Sequence, residues 1–455
     1  MPELPPIEPF LKDATRRMLA AGVVLAVLLL LAITMAIPFY FESPSMWYKF
    51  GIEKTSLRIG KMLGLGAGLL ILLQLPLAGR LKLLDRIFAL PLLMRQHRRQ
   101  AWIIVSAVLV HPLCILLPEG KLTVPLQMRY WPEWVGVALL AAVLTQFVSS
   151  WWRKRLHLAF HIWLPVHRTV GLLIAVLLII HVRYVSETFS SAGPPQLGLL
   201  AAAAVSALIW LWVRTGWLRA SRFPYRVAKV VPVGADCTRV ELTPLGKNHL
   251  HYLPGQFVFV AFRSAQVSGE PHAFTLSSSP SRTETLQFTI RACGDWTGTL
   301  TRLTIGDQAM IQGPYGRFSH LFAQPDRELV LIAGGIGITP MLSMLRFMSD
   351  RRDDRSITLV WSNHSRADMV YADELGELER KLTGLRRVPI FTKSADSTEP
   401  RGRLNRASLE RILGHCGRNA PIFLCGPPLM MRQVKSALIG LGFSSRCIFT
   451  EAFDL

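Results

Sequence analysis

The fold of this chain is decided by one long apolar stretch that carries two histidines, LLMRQHRRQAWIIVSAVLVHPLCILL at residues 92–117. It is long enough to cross the hydrocarbon core of a bilayer as a helix, which takes about 20 residues. His97 and His111 are 14 positions apart within it. Because an α-helix has about 3.6 residues per turn and rises about 1.5 Å per residue, the two histidines lie on one face, about 21 Å apart.

A second stretch repeats this arrangement, WLPVHRTVGLLIAVLLIIHVRYV at residues 163–185. It carries His167 and His181, again 14 positions apart. Two such helices side by side form two histidine pairs, and paired imidazoles in a helical bundle are how a b-type haem is held. A single histidine in an apolar helix is usually a hydrogen-bonded core residue. The same spacing on two helices favours four haem ligands, since ionisable groups inside a membrane are costly and usually functional.

Six apolar runs in the first half of the chain predict transmembrane helices. They cover residues 18–40, 57–77, 90–117, 134–152, 162–184 and 197–213. Lys and Arg are concentrated before the first run and after the second, fourth and sixth, so the positive-inside rule places both termini in the cytosol. The third and fifth helices then run outward. We therefore expect His97 and His167 to share an inner haem, and His111 and His181 to share an outer one.

Composition narrows the classes of function. The chain of 455 residues has a formal net charge of +21, but no basic patch interleaved with aromatic residues indicates a nucleic-acid-binding module. Much of the excess charge flanks the apolar runs, where it sets topology and attracts anionic headgroups of the lipid bilayer. The six cysteines form no CxxC pair, which argues against a disulfide framework or a zinc site. The first apolar run lacks a small-residue cleavage site, so we expect no cleaved signal peptide.

Beyond residue 222 the sequence changes to short strands with Gly and Pro turns, which is typical of a small antiparallel β-barrel. Two motifs in this region contain the residue types that FAD needs. The first supplies an aromatic ring, a hydroxyl for the flavin N5 and donors for pyrophosphate, through His272, Phe274, Thr275 and Ser278. The second supplies a phosphate-binding arginine and the start of a helix, through Ile290, Arg291, Trp296, Thr297, Gly298 and Thr299. Taken singly, each motif is also compatible with an ordinary surface turn.

From Glu328 onward, strands alternate with helices, which predicts a parallel sheet with ligand-binding loops at the carboxyl ends of its strands. One apolar strand leads into a glycine-rich turn and a helix, whose residues Gly334, Gly335, Gly337, Thr339 and Pro340 are suited to a dinucleotide phosphate. The spacing is not GxGxxG, so the generic fingerprint is imperfect. A later strand ends in Cys425, Gly426 and Pro427. Cys425 either lies near the nicotinamide or is a small buried residue.

The residues after Trp361 bear on the choice of nucleotide. An acidic residue at that strand end would favour NADH by contacting the ribose. Ser362 and Arg366 stand there instead, and both are able to hold a 2′-phosphate. The sequence therefore predicts NADPH rather than NADH.

These motifs together resemble the ferric reductase/NADPH oxidase superfamily over nearly the whole chain. The most specific are HAFTLSSSP at residues 272–280 and IRACGDWTGTL at 290–300, joined by GGIGITP at 334–340 and CGP at 425–427. The segment Glu451-Ala452-Phe453 is also similar to the Glu-x-Phe ending of that superfamily. The resemblance implies that Phe453 covers the flavin until nicotinamide displaces it, and that Glu451 lies beside the flavin.

Two positions bear on the electron acceptor. Arg58, near the outer end of the second helix, resembles the oxygen-site arginine of the animal oxidases. Ile115, one turn after the outer ligand His111, stands where those oxidases carry a histidine, which weakens a dedicated superoxide assignment. A third departure is Ala273, which replaces the usual proline of the flavin motif and affects turn rigidity rather than chemistry. The acceptor stays open between molecular oxygen and ferric chelates.

The expected architecture is a membrane α-helical six-helix bundle with two b haems. It is fused to an antiparallel β-barrel FAD domain and an α/β nucleotide-binding domain, both ferredoxin-reductase-like. The expected domains are residues 1–217 for the haem domain, 218–323 for the FAD domain and 324–455 for the NAD(P)H domain. We expect an integral protein of the bacterial inner membrane, with the dehydrogenase half in the cytosol.

The expected function is transmembrane electron transfer from cytosolic NADPH through FAD and two haems to an acceptor on the opposite face, with no protein partner required. Thr275, Cys425, Glu451, Phe453 and Arg58 are the candidate catalytic residues. An alternative is a membrane subunit that delivers electrons to a partner protein or a quinone. A third interpretation, in which the helices only anchor a soluble-type reductase, is disfavoured by the four histidines.

Overall fold

The computed structural model describes residues 13–42, 46–120, 123–216, 224–234, 236–282, 284–323, 328–393 and 402–451. It separates the chain into two compact units. One unit is Leu11–Thr215, and the other contains Gly216–Leu455. Each unit is described by itself. The expected flavin lid, Phe453, lies outside the described residues.

The first unit is helical. Its helices are α1 Asp13–Tyr40, α2 Gly51–Ala78, α3 Lys82–Phe88, α4 Leu90–Leu116, α5 Trp131–Trp151, α6 Phe160–Val185, α7 Glu187–Ser190 and α8 Pro194–Arg214. Six of them, all except the short α3 and α7, are long and apolar enough to cross a membrane. Many of their apolar side chains are exposed, as lipid-facing residues are, which includes Leu28 at 56% and Leu208 at 66%. The prediction of six apolar spanning helices is confirmed.

A side-chain hydrogen bond lies at the junction between α3 and α4. Ala89 lies between the two helices with a φ of 63°, in the left-handed region. The buried Asp85 carboxylate accepts a hydrogen bond of 2.7 Å from the backbone N–H of Leu90, the first residue of α4. This bond satisfies a donor that a helix start leaves without an intrahelical partner. It therefore fixes where the histidine-bearing helix begins.

The centre of the helical unit is apolar and is built by four helices. α2, α4, α5 and α6 supply the buried side chains Ile71, Ile104, Leu139, Val143, Ile174 and Leu178. Ile104 on α4, and Ile174 and Leu178 on α6, lie between the two histidines of their own helix. Aliphatic packing therefore separates the two histidine levels and holds the histidine-bearing helices together.

The second unit begins with a six-stranded antiparallel sheet. Its strands are β1 Pro224–Val233, β2 Cys237–Pro244, β3 Phe257–Arg263, β4 His272–Thr275, β5 Leu286–Arg291 and β6 Gln308–Tyr315, in the order β4-β3-β6-β1-β2-β5. One short helix, α9 Asp295–Gly298, follows β5. Alternate residues of β6 are buried, as expected for a sheet with one covered face. The two flavin motifs fall on β4 and at the end of β5.

The rest of this unit alternates strands and helices. These are β7 Glu328–Gly334, α10 Ile338–Arg351, β8 Ser356–Asn363, α11 Ala372–Lys381, β9 Leu385–Phe391, α12 Arg406–Leu413, β10 Ile422–Cys425, α13 Pro428–Gly440 and β11 Ile448–Glu451. The sheet order is β11-β10-β7-β8-β9, and all neighbouring strands are parallel. The expected fold class, apolar helices followed by a ferredoxin-reductase-like pair of sheets, is confirmed.

Buried His320 generates a prediction about stability. Burial, with a contribution from the Arg355 guanidinium, lowers the pKa of this imidazole to about 3. Between these two pKa values the unfolded chain, with a histidine pKa near 6.5, therefore binds a proton that the folded chain does not bind. We expect the stability of the second unit to fall as pH drops from about 6.5 toward 3, and His320→Leu to reduce this loss. The measurement is heat-induced release of flavin fluorescence from the full chain at several pH values.

The exposed His251 provides the control, because His251→Gln should leave the pH dependence unchanged. Identical pH profiles for wild type and His320→Leu would contradict the assignment.

Candidate functional site

The four histidines lie on two helices, as their spacing predicts. α4 carries His97 and His111, and α6 carries His167 and His181. The ring centroids of His97 and His167 are 6.3 Å apart, with 64° between the ring planes. His111 and His181 lie toward the other ends of the same two helices. The structure thus places the His97 and His167 rings side by side.

Backbone carbonyl groups fix the tautomer of one pair. The Nδ1 of His111 lies 2.7 Å from the carbonyl oxygen of Gly60, and the Nδ1 of His181 lies 2.9 Å from that of Pro132. A carbonyl only accepts hydrogen bonds, so Nδ1 is the protonated nitrogen in both rings. The lone pair is therefore left on Nε2, which is the state that an iron ligand requires.

Glycine residues make room for the same two rings. A Cβ on Gly64 would lie 2.8 Å from Cε1 and Nδ1 of His111, and a Cβ on Gly136 would lie 2.6 Å from Cε1 of His181. Real Cβ atoms do not approach other atoms this closely. Any larger residue at either position would push the imidazole away from its present orientation.

Amide and hydroxyl groups surround the other pair. Gln74 donates to the carbonyl of His97 at 3.2 Å, and Gln146 donates to that of His167 at 2.8 Å. The Ser150 hydroxyl donates to the carbonyl of Gln146 at 2.6 Å, so it accepts from Nδ1 of His167, 3.2 Å away. His167 therefore also presents Nε2.

One buried nitrogen near this pair has no hydrogen-bond partner among the described residues, Nε1 of Trp163. The Trp163 ring is 4.7 Å from that of His167. Buried polar atoms without partners are rare in native proteins and need an explanation. Together with the Nε2 lone pairs, this N–H makes the arrangement fit a group with both a metal and polar substituents, as a haem has.

Arg58 lies at the end of α2 that also carries Gly60. Its guanidinium forms an ion pair with the Glu42 carboxylate and lies over the Phe39 ring, 5.1 Å from the ring centroid. Lys54 bonds to the same carboxylate at 3.1 Å. Sequence reasoning missed Glu42, which partly neutralises the cation at this position.

Three residues of the two flavin motifs form one aromatic group. The His272 and Trp296 rings stack at 4.0 Å with 25° between their planes, and Trp296 is nearly parallel to Phe274 at 5.8 Å. Glu270 holds the His272 imidazole with a contact of 3.1 Å. These rings come from β4 and α9, so the sheet brings together two segments that are separate in sequence.

Several hydroxyls in these motifs bond within the protein. Ser278 exchanges a hydrogen bond of 2.7 Å with Tyr252 and accepts one from the N–H of Gln287. Thr275 is buried at the end of β4. These contacts give Ser278 a structural role that its sequence position did not reveal.

The helix expected near Thr297 has a different extent. α9 begins at Asp295 and ends at Gly298, so it starts two residues earlier than the sequence reasoning assumed. The reason is local. The Thr297 hydroxyl accepts hydrogen bonds from the N–H groups of Cys293 and Gly294, at 3.0 Å each, so Thr297 lies inside the first turn of the helix and not at its start. The Thr299 hydroxyl donates to the Trp296 carbonyl at 2.7 Å and so ends the helix rather than opening it.

Arg291 and its neighbour Ile290 lie at the end of β5. The Arg291 guanidinium contacts the Asp236 carboxylate at 2.5 Å, and this carboxylate raises the pKa of the arginine. Its Nη1 is also 3.4 Å from where a Cβ of Gly335 would stand. The arginine therefore lies between the second flavin motif and the glycine-rich loop, where it can reach a phosphate from either side.

The glycine-rich loop is packed against the loop after β10. A Cβ on Gly337 would lie 2.4 Å from the carbonyl oxygen of Cys425, and one on Gly426 would lie 3.1 Å from Cα of Gly334. Pro427 is 2.9 Å from the Cβ position of Gly334. The sequence analysis attributed these glycines to phosphate approach. The structure adds that they let two loops touch backbone to backbone. Thr339 and Pro340 then lie buried in the first turn of α10.

Cys425 and Glu451 are neighbours at the carboxyl end of the parallel sheet. They pair in register between β10 and β11, and both are buried. Burial raises the pKa of the Cys425 thiol well above its ordinary value, and the Glu451 carboxylate raises it further. The thiol is therefore protonated at neutral pH. Glu451 Oε1 is also 3.7 Å from the Cβ position of Gly316, after β6.

The residues expected to choose the nucleotide follow β8. Ser362 is half-buried in the strand, and Arg366 is exposed in a short 3₁₀ turn. Ser365 opens this turn by bonding to the Asp368 carboxylate at 2.7 Å. The turn holds Arg366 at the strand end, and Asp368 is an acidic neighbour that sequence reasoning did not weigh.

An arginine of α10 links the two sheets of this unit. Arg346 donates to the carbonyl of Ser277 at 2.8 Å and forms a two-pronged ion pair with Glu374 at 2.6 and 2.8 Å. The hydroxyl of Tyr371, whose ring lies under the guanidinium, bonds to Thr289 at 2.7 Å. Sequence reasoning missed this set because its members are far apart in the chain.

Three family profiles match the chain in succession. They are described as a ferric reductase like transmembrane component at residues 63–179, a FAD-binding domain at 222–319 and an oxidoreductase NAD-binding domain at 331–436. The first covers His97, His111 and His167 and ends two residues before His181, and the other two cover the flavin motifs and the glycine-rich loop. The chain therefore has the ferric reductase/NADPH oxidase architecture. It is an integral membrane protein with FAD- and NAD(P)-binding domains.

Individual relatives match about half of the chain. The chain is 28% identical over 241 residues to the reductase component of propane 2-monooxygenase from Rhodococcus jostii, covering 50% of this chain and 62% of that protein. It is 30% identical over 272 residues to a flavohemoprotein from Bordetella pertussis, covering 57% of this chain and 65% of that protein. The chain thus spans less than two thirds of these relatives. The ferric reductase/NADPH oxidase architecture is instead shown by the three family profiles taken together.

One solved structure is similar over most of the chain. It is the flavohemoglobin from Malassezia yamatoensis with bound FAD and heme, with a TM-score of 0.50 and 19% identity. The match covers 89% of this chain and 100% of that one. At this identity the likeness concerns the fold alone.

The contact between Gly337 and Cys425 leads to a prediction. Gly337→Ala forces the glycine-rich loop away from a backbone carbonyl that cannot rotate aside. We expect the KM for NADPH to rise about tenfold, which is about 1.4 kcal/mol, with flavin content unchanged. Steady-state kinetics and flavin absorbance provide the measurement. Gly246→Ala is the control, since nothing lies within 4 Å of its Cβ position. Equal KM values for the two variants would refute the packing argument.

Proposed function

We propose that this chain carries electrons across a membrane, from NADPH through FAD to an acceptor at the opposite face, with two b-type haems between. The observation that carries the proposal is the matched pair of histidine levels on α4 and α6. Three of the four rings hold a proton on Nδ1 and leave Nε2 for iron. An anchor helix needs no such arrangement, and its cost inside a membrane argues for a redox role.

The ligand assignment follows from the pairs. His97 and His167 would hold one haem, and His111 and His181 would hold the other. Because two histidines would hold each haem, an acceptor would react at the haem edge rather than bind the iron. The bound groups supply the redox chemistry, since flavin takes a hydride and gives single electrons that haem iron accepts. The chain supplies alignment and exclusion of water.

The flavin would lie against the aromatic group of His272, Phe274 and Trp296, whose parallel rings suit a flat heterocycle. Arg291 would exchange the Asp236 carboxylate for the flavin pyrophosphate. The flavin ring would be bordered by Thr275, by the neighbouring residues Cys425 and Glu451 of the parallel sheet, and by Phe453. A protonated Cys425 adds no charge there, which suits the approach of a neutral dihydronicotinamide ring.

The nucleotide would occupy the carboxyl ends of β7, β8 and β10, where ligands of open parallel sheets bind. The loop from Gly334 to Gly337 and the turn of Gly426 and Pro427 would border its phosphates. Ser362 and Arg366 would hold the 2′-phosphate of NADPH. By the distribution of Lys and Arg, this unit would face the cytosol of a bacterial cell.

The acceptor we propose is molecular oxygen, giving superoxide, or a ferric chelate. The Arg58 cation beside α4 favours an anionic product or substrate, although Glu42 offsets part of its charge. No protein partner is required for either reaction. Superoxide dismutase would remove the product if oxygen is the acceptor, and would leave it unchanged if a ferric chelate is reduced directly.

A quinone is the second candidate acceptor, because an apolar groove lies beside one histidine. The groove has a volume of about 560 Å³ and is lined by Leu126, Met128, Trp131, Trp134 and Leu177, among others. Leu177 is one helical turn from His181, and Trp131 precedes the Pro132 carbonyl that binds its ring. Purified protein should be compared with oxygen, ferric citrate and a short-chain quinone as acceptors, with and without superoxide dismutase.

Removing one ligand tests the haem assignment. His111→Ala should lose about half of the Soret absorbance of the purified protein, because one of two haems loses an axial ligand. His251→Gln, on the soluble unit, is the matched histidine control and should keep full absorbance. Full retention of both haems in His111→Ala would show that this histidine is not a ligand.

Nucleotide choice is tested at the turn after β8. Arg366→Ala should raise the KM for NADPH by about tenfold or more and leave that for NADH nearly unchanged, since a charge-assisted phosphate contact contributes about 1.5–3 kcal/mol. Steady-state rates with each nucleotide provide the comparison. An equal effect on both nucleotides would rule out contact with the 2′-phosphate.

A further inference from the structure

Two helical hairpins of the membrane unit repeat the same contacts at a fixed spacing. In α2, three positions contact the histidines of α4: residues 60, 64 and 74. In α5, three positions contact the histidines of α6: residues 132, 136 and 146. Each α5 position is 72 residues after its α2 counterpart (132 − 60, 136 − 64 and 146 − 74). Each α6 histidine is 70 residues after its α4 counterpart (167 − 97 and 181 − 111).

The chemistry at matched positions is the same. The residue at 60 or 132 offers a carbonyl to Nδ1 of one histidine, the residue at 64 or 136 is glycine against its ring, and the residue at 74 or 146 is glutamine bonded to the carbonyl of the other histidine. The buried core shows the same offsets. Ile71 corresponds to Val143, and Ile104 corresponds to Ile174.

We propose that α2–α4 and α5–α6 are two copies of one ligand-positioning unit, in which Gly64 and Gly136 set the ring orientation of one histidine pair and Gln74 and Gln146 anchor the other. The inference rests on the proposed function, because it concerns how haem ligands are held. Three independent contact types recur at one offset, which chance pairing of apolar helices does not produce.

The repeat has one break. Ser150, which accepts from Nδ1 of His167, corresponds to Ala78 (150 − 72) in the first copy. Alanine has no hydroxyl to accept from Nδ1 of His97. The two histidines of this level are thus held by different side-chain contacts.

The glycine positions give the first test. In the haem-loaded full chain, Gly64→Ala should displace the His111 ring and change the low-spin EPR gmax of one haem, or remove up to half of the Soret absorbance. Gly66→Ala is the matched control two residues away, because its Cβ would meet only Met35 and Leu31 side-chain atoms at 3.4 Å or more. Both changes favour the helix. Identical spectra for the two variants would overturn the positioning role.

The break in the repeat gives the second test, by restoring a contact. Ala78→Ser places a hydroxyl one turn after Gln74, as Ser150 stands one turn after Gln146. It should accept from Nδ1 of His97, strengthen this ligand and lower the midpoint potential of one haem, while Ser150→Ala should raise it. Potentiometric titration of the Soret band provides the measurement. Unchanged potentials in both variants would refute a role for these hydroxyl contacts in holding the two histidines.

Failure of this inference differs from failure of the proposed function. Wild-type protein that shows no Soret band under ample haem supply would remove the haems and with them both proposals. Two haems in wild type, with gmax and potentials unaffected by Gly64→Ala, Ala78→Ser and Ser150→Ala, would leave electron transfer intact and overturn only the repeated positioning unit.

Discussion

A histidine binds iron only through a nitrogen without a proton, and the proposed haem ligands of the helical unit meet this constraint. Carbonyl oxygens at Gly60 and Pro132 and the hydroxyl of Ser150 each accept a hydrogen bond from an Nδ1–H. Inside a bilayer such acceptors are scarce, because helices use their carbonyls internally. α2 and α5 supply two of these acceptors to the histidines of α4 and α6.

Close packing is the means by which these acceptors reach the rings. Gly64 and Gly136 let α2 and α5 approach α4 and α6 at the level of His111 and His181. Small residues serve helix association in membranes generally, since apolar burial gives little driving force among lipid tails. Here the same small residues also orient a side chain, so stability and ligand geometry depend on one set of contacts.

In the second unit, glycines likewise let two backbone segments come close together. The loops after β7 and β10 touch through glycines, which aligns the expected nucleotide site with Cys425 and Glu451. Arg346 then ties α10 to the flavin-motif sheet through Ser277, and Tyr371 does so through Thr289. Hydride transfer needs reacting atoms within about 3.5 Å, so a fixed relation between the two sheets matters for it.

The sequence by itself determined the architecture. Apolar run length gave six spanning helices, the 14-residue spacing put each pair of histidines on one helix face, and strand patterns gave the two soluble sheets. These are properties of local periodicity, which one stretch of chain contains completely. The candidate residues of the flavin motifs and the glycine-rich loop were predicted on the same local basis.

Only the tertiary structure decided which groups support those residues. Gly60, Gln74, Glu42, Asp236 and Arg346 act on partners that are distant in sequence, so no local pattern marks them. The extent of α9 was likewise set by the Thr297 hydroxyl rather than by helix propensity. The repeat between the two hairpins was present in the sequence, but its matched residues are few and spaced by 4 and 10. They became recognisable only when the folded chain showed that they make the same contacts.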